Sequence, residues 1–207
     1  MNKTRLEAFS DGVFAIVITL LILEVKIKDV PYDNLLSTMQ ELWPSVSAYA
    51  LSFMLIGMYW VFHHNSFIYL ARVDGVMLYL NILFLLTISF FPFPTMLLGR
   101  YPFETLPLVI YGCNLMLANL IGFLMLLYLR RNPHLASEAL TDKAYKDQIP
   151  VYFTVNLLYA VCIAMAFAYP RVSVMLFGLV AIFLIYRSAA MLGIGKPKVD
   201  DKYHNGI

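Results

Sequence analysis

Charged side chains are scarce in this sequence. Lys, Arg, Asp and Glu make up 14% of the 207 residues, whereas a typical soluble domain contains about 25%. Hydrophobic residues make up 61%, and the mean hydropathy is +0.73. These values exclude an ordinary soluble domain and an intrinsically disordered chain, and they are typical of a polytopic membrane protein.

Cysteines and catalytic motifs are also scarce. The two cysteines, Cys113 and Cys162, lie in apolar runs and form no disulfide framework or metal-binding spacing. The sequence lacks GxSxG, HExxH, P-loop and GxGxxG patterns, so it indicates neither an enzyme nor a cofactor. It also lacks TVGYG, which excludes a carbonyl-lined potassium filter of that type. A net charge of +2 without a basic cluster predicts no nucleic-acid partner.

Long apolar runs are abundant. Six of them have the length of about 20 residues that a helix needs to cross a bilayer, and polar or proline-containing segments separate them. The sequence therefore predicts an all-α integral membrane protein with six transmembrane helices. We expect the membrane domain to occupy residues 1–195 and a polar cytoplasmic tail to occupy 196–207. The six runs are 9–27, 43–67, 75–98, 106–130, 149–168 and 171–192.

The distribution of positive charge predicts the orientation of these helices. With the N-terminus inside, eleven of the 15 Lys and Arg residues fall on the cytoplasmic side and four fall outside. Positive residues favour the cytoplasm, so we expect both termini there. Glu24-Val25-Lys26 follows the first run without a small-residue cleavage site, which favours a retained membrane helix over a signal peptide.

The first run begins with ionisable residues, which are rare at membrane depth and usually face a protein interior or an aqueous cavity. Arg5 and Asp11 would lie about 120° apart on a helix, so we expect each to find partners on other helices. The alternative is that Ser10 or Asp11 caps the helix while Arg5 stays at the lipid headgroups.

One narrow stripe of this helix is apolar and branched. When the residues are projected at about 100° per residue, the spacing of an α-helix, this stripe consists of Gly12, Ile16, Leu20, Leu23 and Ile27. Thr19 lies on its flank. A stripe at this spacing forms one helix face. It could line a pore, or it could be an ordinary packing surface.

The end of the second run combines aromatic and imidazole side chains on one predicted face, namely Trp60, His63, His64 and Phe67. Adjacent histidines lack the i, i+4 spacing that suits metal chelation, so we expect no metal site. Instead we expect hydrogen bonds to polar groups on neighbouring helices, with Ser10, Asp11 and Asn81 as candidates. A proton relay is a second possibility, because histidine titrates near neutral pH.

The pattern Arg5-x-x-x-Phe9-Ser10-Asp11 at the head of a first membrane helix resembles the signature of the transmembrane protein 175 family. This family comprises the lysosomal potassium channels and their bacterial relatives. The six runs, the cytoplasmic N-terminus and the stretch from Trp60 to His64 fit the same family. A single set of six helices resembles the bacterial form.

The resemblance implies a homotetrameric, potassium-permeable cation channel in the cell membrane of a bacterium. Its partners would be copies of itself, membrane lipid and permeant monovalent cations such as K⁺, with no cofactor. The first helix would line the pore, with an apolar constriction at Ile16, Leu20 and Leu23 that sets selectivity and gating. Gly12, Thr19 and Ile27 would flank this constriction. The motif residues would hold the helix by packing and hydrogen bonding and would not bind ions; they are Arg5, Phe9, Ser10 and Asp11. We expect the same structural hydrogen-bond network to include Trp60, His63, His64 and Asn81.

A transporter and a membrane enzyme are the alternatives to a channel. A proton-coupled secondary transporter would use Asp11 with His63 or His64. A membrane enzyme would need carboxylates and histidines clustered at one membrane face. The stretch 130–148 contains three carboxylates and His134, but without a recognisable spacing, so we interpret it as a solvated loop.

Overall fold

The structure is a computed structural model that describes residues 2–26 and 35–191, with side chains as far as residue 188. The described residues form eight α-helices and one 3₁₀ turn, Leu21–Glu24, which follows α1 directly. The helices are α1 Lys3–Leu20, α2 Leu35–Glu41, α3 Trp43–Ile68, α4 Gly75–Ser89, α5 Pro92–Arg100, α6 Thr105–Arg131, α7 Asp142–Ala168 and α8 Pro170–Met191.

Six stretches of these helices are long and apolar enough to cross a membrane. They are Lys3–Glu24, Trp43–Ile68, Gly75–Arg100, Thr105–Arg131, Asp142–Ala168 and Pro170–Ser188. Each contains most of one predicted run, so the prediction of an all-α, multi-pass membrane protein is confirmed. The predicted domain boundary at 195/196 lies outside the described residues.

The first span differs from the continuous α-helix that the stripe assumes. The α-helix ends at Leu20, and the 3₁₀ turn that follows has about 3 residues per turn. Leu23 therefore lies almost directly above Leu20 along the axis, and the spacing of 100° per residue is wrong beyond Leu20. Ile27 lies outside the described residues.

The third span is broken, although the sequence predicts one continuous helix there. Helix α4 ends at Ser89 and α5 begins at Pro92. Pro92 and Pro94 have no N–H group, so neither can donate to the carbonyl four residues earlier. The amide of Asn114, in α6, donates to the carbonyl of Thr87 at 3.1 Å. A neighbouring helix thus pairs a backbone group near the break, as the interior of a membrane requires.

The fifth span begins earlier than predicted. The sequence predicts a loop over 130–148, but residues from Asp142 onwards are helical. The side chain of Thr141 caps this helix by accepting a hydrogen bond from the amide of Ala144 at 3.1 Å. Arg130 at the end of α6 pairs with Asp142 at 2.6 Å, so this ion pair joins the two ends of the connection 132–141.

Helix α6 lies at the centre of the bundle and contacts α4, α5, α7 and α8. Its crossing with α7 is close at Gly112, where an added Cβ atom would lie 2.5 Å from Cγ1 of Ile163. Helix α1 lies at the periphery. It packs against α3 and α4, while its 3₁₀ turn contacts α3 and α5.

Two connections that are predicted to lie on the same side of the membrane are joined. Leu70 and Ala136 form an isolated antiparallel bridge, and the amide of Ser137 donates to the carbonyl of Tyr69 at 2.8 Å. Asp74 caps α4 through the amide of Met77 and also accepts a hydrogen bond from the hydroxyl of Tyr128 at 2.6 Å. These bonds hold the α3–α4 connection against the α6–α7 connection.

Candidate functional site

Helix α1 has one buried face and one exposed face. The buried face carries Leu6, Ser10, Phe14 and Val17, which recur at the three- and four-residue spacing of one helix side. The side chain of Asn2 caps the helix by accepting from the amide of Thr4. The alternative in which Ser10 or Asp11 caps the helix is therefore wrong, because both lie two turns inside it.

A chain of buried hydrogen bonds fixes this face against α3 and α4. The hydroxyl of Ser10 donates to the carbonyl of Leu6 at 2.8 Å, and it accepts from the amide nitrogen of Asn81 at 3.0 Å. The amide oxygen of Asn81 lies 2.8 Å from Nε2 of His63. Since that oxygen can only accept, Nε2 carries the hydrogen and donates. We call Ser10, Asn81 and His63 the buried triad.

Aromatic rings enclose the histidine of the buried triad. The ring of His63 stacks on Phe84 with centroids 5.2 Å apart and an interplanar angle of 15°. Phe67 and Phe14 lie 4.5 Å and 5.7 Å from it. Because these rings leave little freedom at χ1 and χ2, the Nε2 atom is held towards Asn81 and the orientation of the triad is defined.

A second contact joins α3 to the exposed flank of α1. The indole nitrogen of Trp60 donates to a carboxylate oxygen of Asp11 at 2.8 Å, and the indole stacks on His64 with centroids 5.8 Å apart. The sequence places Trp60, His63 and His64 on one face, but the structure divides them. Only His63 is buried, because adjacent residues on a helix point about 100° apart.

The exposed face of α1 carries the predicted stripe. The exposed fractions of Ile16, Leu20 and Leu23 are 60%, 43% and 58%. Gly12 and Thr19 are exposed beside them. The hydroxyl of Thr19 donates back to the carbonyls of Ala15 and Ile16, so it is paired within its own helix.

Two residues of the motif are separate from the buried triad. Arg5 is exposed and forms no ion pair within the part of the chain that the structure describes. Phe9 is 56% exposed. On a helical projection both lie near the azimuth of Ile16, so they extend the exposed stripe towards the start of α1. The structure thus brings Ser10 and Asp11 to α3 and α4, but it leaves Arg5 and Phe9 on the opposite side.

Sequence reasoning missed a second buried polar chain. The hydroxyl of Thr95 donates to Ser52 at 2.7 Å, and Ser52 lies 3.0 Å from the hydroxyl of Tyr111. The only signal in the sequence is a hydroxyl residue within each of three apolar runs. Such residues are common in membrane helices because they can bond to their own backbone. Their convergence depends on packing between α3, α5 and α6.

The fold and the site together define a six-span helical membrane protein whose first helix is fixed by a buried polar triad and presents an unpacked apolar stripe. Residues 5–92 match the family model described as endosomal/lysosomal potassium channel TMEM175. A protein from Chryseobacterium sp. (strain P1-3) that is named a potassium channel is 33% identical over 185 residues, which cover 88% of this chain and 92% of the relative. The chain belongs to the transmembrane protein 175 family, as its resemblance predicted.

Two further comparisons agree with this membership. A protein from Streptomyces collinus, also named a potassium channel, is 49% identical over 104 residues, but that match covers only 49% of this chain and 50% of the relative. The crystal structure of a lysosomal potassium-selective channel TMEM175 homolog from Chamaesiphon minutus superposes with a TM-score of 0.80. It is 33% identical, and the superposition covers 90% of this chain and 97% of that one.

Proposed function

We propose that this protein is a homotetrameric, potassium-permeable cation channel whose pore is lined by α1. The observation that carries the proposal is the exposed stripe of Ile16, Leu20 and Leu23 on the helix at which the family model begins to match. Relatives that are named potassium channels support the permeant ion. The proposal places both termini in the cytoplasm of a bacterial cell, as the distribution of positive charge predicts.

Exposure alone does not select α1 as the pore helix. Ile182 on α8 is 62% exposed, and the other outer helices also expose large apolar side chains to lipid. The case for α1 rests on the match to the family model, which begins at residue 5, and on the buried triad, in which side chains of α3 and α4 fix the rotation of α1. Such a constraint suits a pore helix, because a pore helix must present the same residues to the axis in every subunit.

In this proposal four copies of the stripe surround one axis. Isoleucine and leucine offer no oxygen ligands, so a cation passes the constriction with part of its hydration shell or at a high desolvation cost. A narrow apolar ring can also lose its water and close the path by dewetting. Selectivity then follows from the pore radius and from the different cost of dehydrating each cation.

In the proposal the buried triad and the Trp60–Asp11 contact act as positioning elements and do not bind ions. Ser10 and Asn81 are completely buried within one subunit, and Nε2 of His63 is directed at Asn81. The proton-coupled transporter would use Asp11 together with His63 or His64. In the structure Asp11, His63 and His64 line one open pocket, but the hydrogen bond of Asp11 is accepted from Trp60 and that of His63 is made to Asn81.

Ion flux into liposomes tests the proposal. Purified protein is reconstituted, and flux is followed under a potassium gradient, with valinomycin giving the maximum and empty liposomes giving the leak. We expect downhill potassium flux without a proton gradient or another solute.

Ile16→Asn should increase flux and reduce selectivity, because it places a polar amide in the constriction. Ile182→Asn is the matched control, since Ile182 is exposed to a similar extent on α8 and should leave flux unchanged. Flux that requires a proton gradient would favour the transporter instead.

A further inference from the structure

Two adjoining cavities lie mainly between α3, α6 and α7, with Leu184 of α8 lining one and Phe84 of α4 lining the other, and α1 contributes no residue to either of them. We call them together the inner crevice. The residues that line both cavities are Tyr59, Phe62, Ser66, Asn119 and Tyr152. The inner crevice is therefore separate from the exposed stripe of α1.

One polar group in the inner crevice has no protein partner. The amide nitrogen Nδ2 of Asn65 is buried and forms no hydrogen bond within the described residues. By contrast, Nδ2 of Asn119, on the opposite wall, donates to the carbonyl of Tyr152 at 2.9 Å. An unpaired amide is costly inside a membrane protein, where lipid supplies no hydrogen bonds. The Nδ2 amide of Asn65 therefore needs a hydrogen-bond acceptor that the described part of the protein does not supply.

The size of the inner crevice fits water. Each of its two cavities offers about 40 Å³ to the centres of water-sized molecules. One water needs about 10–15 Å³ on this scale, together with two to four polar partners. Each cavity thus has room for about three waters. Ser66 and Gln148 supply polar atoms beside Asn65.

The inner crevice runs from one membrane face towards the middle of the bundle. Its rim residues, Tyr69 and Gln148, are half-buried and lie near the α3–α4 and α6–α7 connections. Its deepest tyrosines are Tyr59 on α3 and Tyr159 on α7. At 1.5 Å per residue each wall extends over about 15 Å, which is about half of a 30 Å hydrocarbon core.

We propose that the inner crevice is a water-binding site that opens at the membrane face carrying the α3–α4 and α6–α7 connections. Its water pairs with Asn65 and extends through the second cavity to His63, which lines that cavity. The buried triad that positions α1 would then have contact with bulk water by a second route, in addition to the open pocket that His63 lines with Asp11 and His64. This proposal does not depend on the permeant ion or on the oligomeric state.

Hydroxyl-radical labelling tests the proposal, because X-ray radiolysis generates radicals from water next to the oxidised side chain. The protein is irradiated in lipid nanodiscs, and oxidation is measured by mass spectrometry. Tyr159 and Tyr111 form a matched pair, since both are fully buried but only Tyr159 lines the inner crevice. We expect Tyr159 to be oxidised on the order of tenfold faster than Tyr111, because bound water is a local radical source. Equal protection of the two would show a dry or lipid-filled crevice and would overturn the proposal.

Two variants test the route of the water. Asn65→Leu replaces the unpaired amide with an apolar group, and Gln148→Trp obstructs the rim, so each should strongly reduce oxidation of Tyr159. Oxidation of Tyr169, which is exposed outside the crevice, should stay unchanged in both variants. If Tyr159 remains as reactive in both as in the wild type, water reaches it by another path and the assigned opening is wrong.

Discussion

Replacing Asn81 with leucine removes both hydrogen bonds through which this side chain joins α1 to α3, while keeping the number and branching of its side-chain heavy atoms. Ser10 still donates to the carbonyl of Leu6, so the main penalty is the buried Nε2–H of His63, which loses its acceptor. An orphaned buried donor costs about 1–3 kcal/mol, whereas a single hydrogen bond between membrane helices averages about 0.6 kcal/mol. We expect Asn81→Leu to lower the free energy of unfolding by about 1–3 kcal/mol, because the orphaned donor dominates.

A double-mutant cycle separates the orphaned group from the lost bond. His63→Phe fits between Phe67 and Phe84, but it leaves the amide oxygen of Asn81 without its partner. In the double variant both polar groups are gone, so its cost should be clearly smaller than the sum of the two single costs. Unfolding by SDS in mixed micelles, followed by tryptophan fluorescence, measures all three variants. Additive costs, or a wild-type transition for Asn81→Leu, would refute the reasoning.

The remaining predictions concern packing and pH. Gly112→Ala should lower the unfolding midpoint in the same SDS assay, because its new Cβ would lie 2.5 Å from Ile163. Gly178→Ala has open space within α8 and should not lower the midpoint, since alanine is the better helix former. At Asp74, partial burial alone would raise the pKa, but hydrogen bonds from Tyr128 and from a backbone amide lower the pKa overall. The stabilisation is therefore present above the unfolded pKa of about 3.9 and is lost as the pH falls below it. Asp74→Asn should remove this part of the acid sensitivity in unfolding curves taken between about pH 3 and pH 6.

The six spans were predictable because length and hydropathy determine which segments can cross a bilayer. The partners of Ser10 and His63 were predictable for a related reason. A polar side chain within an apolar run must find a polar group on a neighbouring helix, and Asn81 is one of few available. The role of Ile16, Leu20 and Leu23 stays a prediction, since a helical projection identifies a stripe but not what it faces.

Other features depend on packing that no periodicity reveals. The change to a 3₁₀ turn after Leu20 has no composition signal, because the residues on both sides are branched and apolar. The break before Pro92 does not follow from the presence of proline alone, since prolines are often tolerated within membrane helices. The inner crevice combines Asn65, Asn119 and Gln148 from three different helices, and only the tertiary structure brings them together.

The most direct test of a potassium-permeable pore with its constriction on α1 is the reversal potential of single channels in a planar bilayer, with potassium on one side and sodium on the other. We expect discrete openings whose reversal potential favours potassium in the wild type and in Ile182→Asn. Larger openings with a reversal potential near zero are expected in Ile16→Asn. Identical conductance and reversal potential in the wild type and Ile16→Asn would contradict a constriction on α1.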